Sequence, residues 1–325
     1  MFVRAYRAPR MIDFTGQAAI VTGAGRGLGR LYAHELARRG AAVVVNDLGA
    51  SMTGDGADPG VAEAVVTEIR EAGGVAVASC DSVDTPAGGQ AIVDAAWTSF
   101  GRLDAVVSNA GIFQTLPFDE LSPDDWRRMM QVHLDGAFYL GQPAYRAMKR
   151  LGGGRFVFVA SSAGLFGQPS SAHYAAAKAG LLGLTNVIAI DGAEHGILAN
   201  TVLPFGYSRM VAETIGAGDA PPDDGFLAAI DPALVVPLVV YLASRSCAVS
   251  HHNFSAGAGR YARVFVGLAE GWLADRGEQP SADDIAEHFE AISATDPFIV
   301  PTSIFDEVFE LSARIGVDGS QQVQG

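Results

Sequence analysis

The sequence predicts an α/β fold in which helices cover a parallel sheet. Short apolar runs alternate along the chain with longer segments of helical periodicity. The runs show no polar alternation, which is typical of strands that are buried on both faces. The runs span residues 18–21, 43–45, 75–78, 105–107, 156–159 and 198–202, and the helical segments span residues 28–39, 61–72, 87–100, 123–149 and 172–194. This order indicates repeated βαβ units with right-handed crossovers.

Composition excludes several classes of protein. The chain has 325 residues, of which 49 % are apolar, so it can bury a sizeable core and is not a disordered chain. Its net charge of -14 argues against nucleic acid and anionic membranes as partners. Cys80 and Cys247 are the only cysteines, so neither a disulfide framework nor a cysteine-rich metal site is expected. No metal is therefore expected, and a reducing, cytoplasmic location is the natural interpretation.

Composition shifts predict how the chain is organised. Residues 1–11 are expected to form a flexible tail. Residues 12–259 carry the strand and helix alternation and are expected to form a single main domain. Within it, residues 205–225 are rich in Gly, Pro and Asp and are expected to act as a lid. Residues 260–325 are expected to be a C-terminal helical appendage, with one helix capped by Ser281.

A glycine-rich turn follows the first predicted strand and opens the first predicted helix. The segment fits the pattern G-x-x-x-G-x-G, and its position between strand and helix strengthens an otherwise weak signal. Glycines let such a turn adopt positive φ and approach a pyrophosphate, while the helix N-terminus supplies unpaired N–H groups. The sequence therefore predicts a dinucleotide site whose turn residues are Gly23, Arg26, Gly27, Leu28 and Gly29.

An acidic residue ends the second predicted strand. Asp47 stands where a carboxylate accepts hydrogen bonds from the adenosine ribose hydroxyls, although it could be an ordinary loop acid. Arg26 could bind the 2′-phosphate of NADP, but the like charge of Asp47 would oppose that phosphate. NAD is therefore the expected cofactor. The tripeptide Asn109-Ala110-Gly111 follows the fourth strand, where open α/β sheets bind ligands, although alone it could be only a turn.

A tyrosine and a lysine lie one helical turn apart. Tyr174 and Lys178 have i, i+4 spacing, so both lie on one helix face. An ammonium next to a phenol stabilises the tyrosinate and lowers the pKa of the tyrosine, which can then remove a proton from a secondary alcohol. Ser161 ends the fifth predicted strand and could hold the same substrate oxygen. The pair alone is common on helices, but its coincidence with the glycine turn and Asp47 favours a catalytic role.

These motifs together resemble the short-chain dehydrogenase/reductase family. The family's glycine turn stands at Thr22 to Gly29, its N-A-G at Asn109 to Gly111, and its Ser…Tyr-x-x-x-Lys at Ser161, Tyr174 and Lys178. The resemblance implies a Rossmann-type, doubly wound, seven-stranded parallel sheet and hydride transfer with NAD(P). It also implies that the Tyr is the acid/base, that the Lys binds the nicotinamide ribose and that the Ser orients the substrate.

One position departs from the common family pattern. The usual relay Asn is His133 in this chain, which makes His133 a candidate catalytic residue whose part in a proton relay is left open. With this histidine, the chain resembles the multifunctional-enzyme type 2 subgroup, whose members are also called type 4 17β-hydroxysteroid dehydrogenases. That subgroup, as the resemblance implies, oxidises (3R)-hydroxyacyl-CoA and hydroxysteroids with NAD. Asp81 matches the acid placed against the adenine, Ser82 is a further cofactor contact, and Ser208 is expected near the carboxamide.

Apolar side chains close to these motifs are expected to line a large substrate pocket if they converge. The alternative is that about half of them are simply core. The candidates are Phe113, Leu165, Phe166, Phe205, Tyr207 and Phe226.

The expected activity is NAD-dependent oxidation of a secondary alcohol on a bulky apolar substrate. A hydroxysteroid is favoured, because the chain is acidic and no basic patch for coenzyme A is readable. The alternative is a 3-hydroxyacyl-CoA dehydrogenase that acts on fatty-acyl or steroid side-chain thioesters, and a non-catalytic NAD-sensing scaffold is a third reading. A homodimer or homotetramer is expected by resemblance, with the helical segments 123–149 and 172–194 as its interface.

Overall fold

The computed structural model describes residues 11–208, 211–212, 225–275, 277 and 279–317. Most of the expected N-terminal tail and most of the expected lid lie outside the described residues. The chain divides into two compact units, Met1–Arg263 and Val264–Gly325.

The first unit is built on an eight-stranded sheet with the spatial order β3-β2-β1-β4-β5-β6-β7-β8. Strands β1 to β7 pair in parallel wherever they are neighbours. The strands are β1 (Ala18–Thr22), β2 (Ala42–Asn46), β3 (Val75–Ser79), β4 (Ala105–Ser108), β5 (Gly154–Val159), β6 (Ile197–Phe205), β7 (His252–Gly257) and β8 (Arg260–Val264). The prediction of a doubly wound parallel sheet is therefore confirmed.

The strand count differs from the predicted seven by one edge strand. The chain reverses after β7 at Ala258 and Gly259, which both have positive φ, as in a two-residue hairpin turn. This turn makes β8 antiparallel to β7. Residues 260–264 mix arginine with apolar residues and are mostly exposed, so they lack the continuous apolar run that identified the buried strands.

Helices cover both faces of the sheet. Alternate strand residues point to opposite faces, so Val43 and Val45 join one core while Val44 joins the other. Helices α1, α2 and α9 pack on the first core, and α3, α5 and α7 pack on the second. The helices of this unit are α1 (Gly27–Arg38), α2 (Gly60–Glu71), α3 (Pro86–Phe100), α4 (Pro123–Met130), α5 (Gly136–Leu151), α6 (Ala163–Phe166), α7 (Ala172–Gly192), α8 (Gly225–Ala229) and α9 (Val236–Ala243).

The predicted single helix over residues 123–149 is interrupted. Ser122 caps α4 through its side chain and Pro123 occupies the first turn. Between α4 and α5 the chain widens into a π-helical turn at Gln131–Asp135, which carries His133 into the interior. Such turns often mark functional positions, and the period of apolar residues does not reveal them.

The second unit is small and carries little regular structure. Strands β9 (Leu268–Ala269) and β10 (Phe298–Ile299) pair antiparallel. Its helices are α10 (Ala282–Glu287), α11 (Phe289–Ser293) and α12 (Ile304–Arg314). Ser281 caps α10 as predicted, in a capping box with Asp284.

The topology decides where a ligand can bind. Strand β1 lies between β2 and β4, so the chain leaves β1 and β4 towards opposite faces of the sheet. A crevice opens at the carboxyl ends of strands at such a switch point. No described helix has both the length and the apolar character that a bilayer span requires.

Candidate active site

A cleft of about 930 Å³ lies at the carboxyl ends of β1, β2, β4, β5 and β6. Every residue that lines it belongs to the first unit. Most predicted site residues converge on this cleft. They are Gly23, Arg26, Gly27, Leu28, Asp47, Asp81, Ser82, Asn109, Ala110, Gly111, Phe113, His133, Ser161, Phe166, Tyr174, Lys178, Phe205, Ser208 and Phe226.

The glycine turn brings backbone to the cleft wall. A Cβ on Gly25 would stand 2.3 Å from the Val61 side chain, and one on Gly23 would stand 2.8 Å from the Ala110 backbone. Helix α1 begins at Gly27, and its N-cap residue Arg26 provides no side-chain cap. The first N–H groups of α1 therefore lack a side-chain partner at the cleft. Gly29 does not line the cleft, and instead packs behind the turn, where a Cβ would lie 2.1 Å from the Gly23 carbonyl oxygen.

Thr22 and Asn109 fasten the glycine turn to the end of β4. The Thr22 hydroxyl accepts hydrogen bonds from the N–H groups of Asn109 and Ala110, both at 3.0 Å. The Asn109 amide donates to the carbonyl oxygens of Thr22 at 3.0 Å and Gly23 at 3.2 Å. The Asn109 side chain therefore holds the turn in place. Sequence reasoning missed the part of Thr22, although it opens the glycine motif.

Asp47 is fixed at the end of β2. Its Oδ2 accepts from the Gly25 N–H at 2.8 Å and its Oδ1 accepts from the Gly49 N–H at 2.7 Å. Asp47 therefore orders two turns, as a loop acid does, and it also lines the cleft. Asn46 beside it was missed, yet its buried amide donates to the Asp81 carbonyl oxygen at 2.9 Å and so positions that loop.

Ser161, Tyr174 and Lys178 meet on one wall of the cleft. Lys178 Nζ lies 5.7 Å from the Tyr174 ring centre, so the two side chains share one helix face as predicted. Its ammonium donates to the Val159 carbonyl oxygen at 2.7 Å, at the end of β5. Ser161 lies just beyond that strand and lines the cleft together with Tyr174. Helix α7 begins without a side-chain cap, because the Ser171 hydroxyl donates to the Pro169 carbonyl oxygen.

Burial governs the ionisation of this group in the protein alone. Burial raises the pKa of Tyr174 above 10, and the hydrogen bond with Ser161 offsets part of that rise. Burial also lowers the pKa of Lys178 to about 7. The sequence predicted the opposite direction for Tyr174, because i, i+4 spacing shows the neighbouring ammonium but not the loss of water around both groups.

His133 is buried between Tyr174 and the loop after β4. Its ring stands edge-on to the Tyr174 ring with 5.3 Å between centres. Its Nε2 lies 2.7 Å from the Ile112 carbonyl oxygen, and its buried Nδ1 has no protein partner. Burial, together with the positive charge of Lys178, lowers the pKa of His133 well below 6.5, so the ring is neutral near pH 7.

The predicted substrate residues fall into three groups. Phe113 is buried and edge-on to the Tyr174 ring with 5.2 Å between ring centres, while Phe166, Phe205 and Phe226 are exposed at the mouth of the cleft. Leu165 packs against the core under α7, and Tyr207 is buried in a small cluster with Ile230. The last two side chains do not line the cleft. Periodicity and chain order could not separate them from the residues that do.

No group of three or more His, Cys, Asp or Glu in the described part of the chain is arranged to hold a metal ion.

Comparison with known proteins places these features in a family. Residues 17–217 match the short chain dehydrogenase family. The mouse peroxisomal multifunctional enzyme type 2 is 39 % identical over 282 residues, which is 86 % of this chain but 37 % of that protein. A hydroxyacyl-CoA dehydrogenase of Mycobacterium tuberculosis is 37 % identical over 255 residues, which is 75 % of this chain and 78 % of that protein. The chain thus spans little more than a third of the length of its mouse relative.

Solved structures agree with the sequence relatives. The full-length peroxisomal multifunctional enzyme type 2 of Drosophila melanogaster superposes with a TM-score of 0.76 at 28 % identity, covering 94 % of this chain and 50 % of that chain. A 7α-hydroxysteroid dehydrogenase solved with NADH and a 7-oxo bile acid gives a TM-score of 0.66 at 27 % identity, covering 76 % of this chain and 95 % of that chain. The resemblance to the multifunctional-enzyme type 2 subgroup is therefore confirmed. This chain belongs to the short-chain dehydrogenase family and is an oxidoreductase.

Proposed function

We propose that the protein oxidises the hydroxyl of a 3-hydroxyacyl thioester to a ketone, with NAD as the hydride acceptor. The observation that carries the reaction type is that Ser161 lies with the buried Tyr174 and Lys178 on the wall of the 930 Å³ cleft. The names of the relatives favour the thioester over the free hydroxysteroid that the composition suggested. The non-catalytic reading is set aside, because the family and its relatives are dehydrogenases.

The residues present fit a nicotinamide dinucleotide. A Cβ at Gly23 or Gly25 would collide with neighbouring protein atoms, so glycine permits the tight turn that brings the backbone of Gly23 and Gly27 to the cleft. The uncapped start of α1 offers N–H groups to an anion. Lys178 uses one of its three N–H donors on Val159, so others are left for a ligand hydroxyl.

The chain's own residues supply the proton chemistry. Ser161 holds the substrate oxygen. Tyr174 removes the hydroxyl proton as a hydride leaves the carbon that bears this hydroxyl. When bound, NAD accepts that hydride and adds positive charge beside the phenol. A charged Lys178 at 5.7 Å stabilises the tyrosinate in the same way, which works against the effect of burial on the pKa of Tyr174.

NAD is proposed over NADP because of Asp47. Two backbone N–H groups fix its carboxylate at the cleft, where it would repel a 2′-phosphate. Arg26, the nearby cation, donates to the Ala50 carbonyl oxygen at 3.1 Å. We expect kcat/KM to be higher with NAD than with NADP, and Asp47→Ser to narrow the difference at least about tenfold, since one such charge contact is worth about 1.4 kcal/mol or more. Higher kcat/KM of the unaltered enzyme with NADP would contradict the assignment.

A free hydroxysteroid stays the second candidate, for one specific reason. Among the described residues that line the cleft, the cations are Arg26 and Lys178, while Asp47, Asp81 and Asp84 are acids. A polyanion such as coenzyme A finds little positive charge there, whereas a neutral sterol needs none.

One experiment separates the candidates. NADH absorbance is followed with a (3R)-3-hydroxyacyl-CoA and with 17β-estradiol as substrates, for the unaltered enzyme and for Tyr174→Phe. We expect faster turnover of the thioester, and a loss of about 10²–10⁴-fold in Tyr174→Phe with NAD affinity retained. Faster oxidation of the steroid would reverse the order of the two candidates. Turnover that survives in Tyr174→Phe would remove Tyr174 as the base.

The cytoplasmic location and the homo-oligomer are likewise proposals. The first rests on the free cysteines, while the mouse and fly relatives carry the word peroxisomal in their names. The second rests on the family resemblance and on apolar side chains that α5 and α7 expose.

A further inference from the structure

The chain between β2 and α2 forms an ordered loop, called here the β2–α2 loop (residues 48–59). Its base is closed by a hydrogen bond from the Asp58 N–H to the Leu48 carbonyl oxygen at 2.9 Å. Gly49 has a φ of +76°, and a Cβ there would lie 2.1 Å from the Asp58 carbonyl oxygen. Near the tip, the Ser51 N–H donates to the Asp55 carbonyl oxygen at 2.8 Å. The loop therefore holds its shape through its own backbone, as compact Ω-loops do.

Two contacts tie this loop to the far side of the cleft. The Phe113 N–H donates to the Met52 carbonyl oxygen at 3.0 Å, which joins the loop to the segment after β4. Asp55 forms an ion pair with Arg128 of α4 at 2.7 Å. Gly54 lies between Met52 and Asp55 in the chain, and a Cβ there would stand 3.0 Å from the Ile112 side chain. The tip is thus fixed against α4 and the segment after β4.

The Met52 side chain is partly buried and lines the cleft. It packs against a buried cluster that contains Ile112, Phe113, Met129 and Tyr174. Of this cluster, Ile112, Phe113 and Tyr174 line the cleft together with Met52, whereas Met129 does not. The base of the same loop follows Asp47, whose carboxylate accepts from the Gly49 N–H. One loop therefore extends from the proposed adenosine side of the cleft to the cluster that contains Tyr174.

We propose that the β2–α2 loop forms the apolar wall of the substrate site and that Met52 sets how much bulk is accepted beside the reacting carbon. This inference rests on the proposed function and adds a specificity residue to it. The alkyl group on the carbinol carbon of the hydroxyacyl chain is the substituent that the proposal assigns to Met52, while the hydroxyl faces Ser161 and Tyr174. The long, unbranched Met52 side chain fills space that a branched alkyl group would need, and a smaller residue would leave that space open. The Asp55–Arg128 ion pair fixes the tip of the loop and so holds Met52 in position.

The first test changes the wall and measures selectivity. Two substrates are compared, 3-hydroxybutanoyl-CoA and 3-hydroxy-4-methylpentanoyl-CoA, which differ by two methyl groups beside the carbinol. We expect Met52→Ala to shift the ratio of kcat/KM about tenfold or more towards the branched substrate, the size seen when a pocket gains room for one or two methyl groups. The KM for NAD is expected to stay within about twofold, because Met52 lies at the other end of the loop from Asp47.

Met129→Ala is the matched control, because Met129 belongs to the same cluster but does not line the cleft. It is expected to lower thermal stability without changing the ratio. Met52→Val removes less volume and should shift the ratio in the same direction, which keeps the test decisive if Met52→Ala does not fold.

The second test releases the tie. Arg128→Ala is expected to shift the same ratio about two- to fivefold, the range of a single exposed ion pair, and to add nothing to Met52→Ala. Arg127→Ala is its control, since Arg127 pairs with Asp124 of its own helix at 2.8 Å. A folded Met52→Ala enzyme with the selectivity of the unaltered enzyme would overturn the inference while leaving the proposed function intact. An unaltered enzyme that oxidises neither thioester would overturn both.

Discussion

At the scale of single residues, burial and not spacing decides the chemistry of the site. Tyr174 and Lys178 are on the helix face that their spacing predicts, 5.7 Å apart as measured from the ammonium to the ring centre. Both are buried, so each is pushed towards its neutral form before any ligand binds. The proposed reaction needs Lys178 in its charged form, so the burial of this lysine lowers stability for the sake of activity. The position of His133 next to both makes it a positioning candidate, because its neutral ring is held by Ile112.

Lys178→Met tests this cost of activity. We expect turnover to be lost and the free energy of unfolding to rise by about 1 kcal/mol or more at pH 6, after allowance for the lost bond to Val159. The pKa of Lys178 is about 7 when folded and 10.5 as a free side chain, so the unfolded chain binds the extra proton between these values. The cost of burying the charge is therefore complete below about pH 7 and disappears as the pH approaches 10.5.

Urea unfolding at pH 6 and pH 9 measures the effect. The stability difference between Lys178→Met and the unaltered protein should be larger at pH 6. Lys149→Met, at an exposed lysine of α5, should show no such dependence on pH. Equal differences at both pH values would mean that Lys178 is not desolvated.

At the scale of elements, closely packed backbone segments shape the part of the cleft that is proposed to bind the dinucleotide. Strand β1, the glycine turn and α1 form a unit that Thr22 and Asn109 fasten to the end of β4. The sequence showed the glycines and the strand before them, but not which glycine faces the cleft and which only permits the packing. Gly29 is of the second kind, because a Cβ there would collide with the Gly23 carbonyl oxygen.

Gly29→Ala is expected to displace the glycine turn. Since a Cβ would stand 2.1 Å from that oxygen, we expect a loss of about 1–3 kcal/mol in the free energy of unfolding and a higher Kd for NAD. Thermal unfolding and NADH fluorescence titration provide the measurements. Gly141→Ala in α5 serves as the control, because its Cβ would meet only Ile188, at 4.0 Å, and alanine favours a helix by about 0.5–1 kcal/mol. Wild-type NAD affinity in a folded Gly29→Ala protein would rule out this role for Gly29.

At the scale of the whole molecule, helices α5 and α7 of the first unit expose large apolar side chains that the core of this unit does not bury. Phe138 on α5 is 46 % exposed, and Val187 and Ile190 on α7 are 56 % and 48 % exposed. These helices lie within the segments that the sequence proposed as an interface between copies of the chain. Large apolar side chains that share a surface are typical of contacts with another protein.

Ile190→Glu tests that interface. We expect the unaltered protein to run as a dimer or tetramer, and the variant to dissociate towards smaller species, because a charge buried without a partner opposes association. Light scattering coupled to gel filtration gives the masses. Val75→Glu, at an exposed position of edge strand β3, is the control and should leave the mass unchanged. A monomeric unaltered protein would contradict the proposal.

The sequence by itself determined the fold class, six of the seven parallel strands to within a few residues at each end, and the residues of the glycine turn, Asp47 and the Ser161, Tyr174 and Lys178 group. It could do so because these signals are local: an apolar run, a glycine spacing and a helical repeat each depend on neighbours in the chain. Only the tertiary structure decided that Leu165 and Tyr207 turn away from the cleft, that α4 and α5 are separated by a π-helical turn, and that Met52 packs against the cluster that contains Tyr174. Those outcomes depend on which distant segments meet and on how much water they exclude, and neither is written in the order of neighbouring residues.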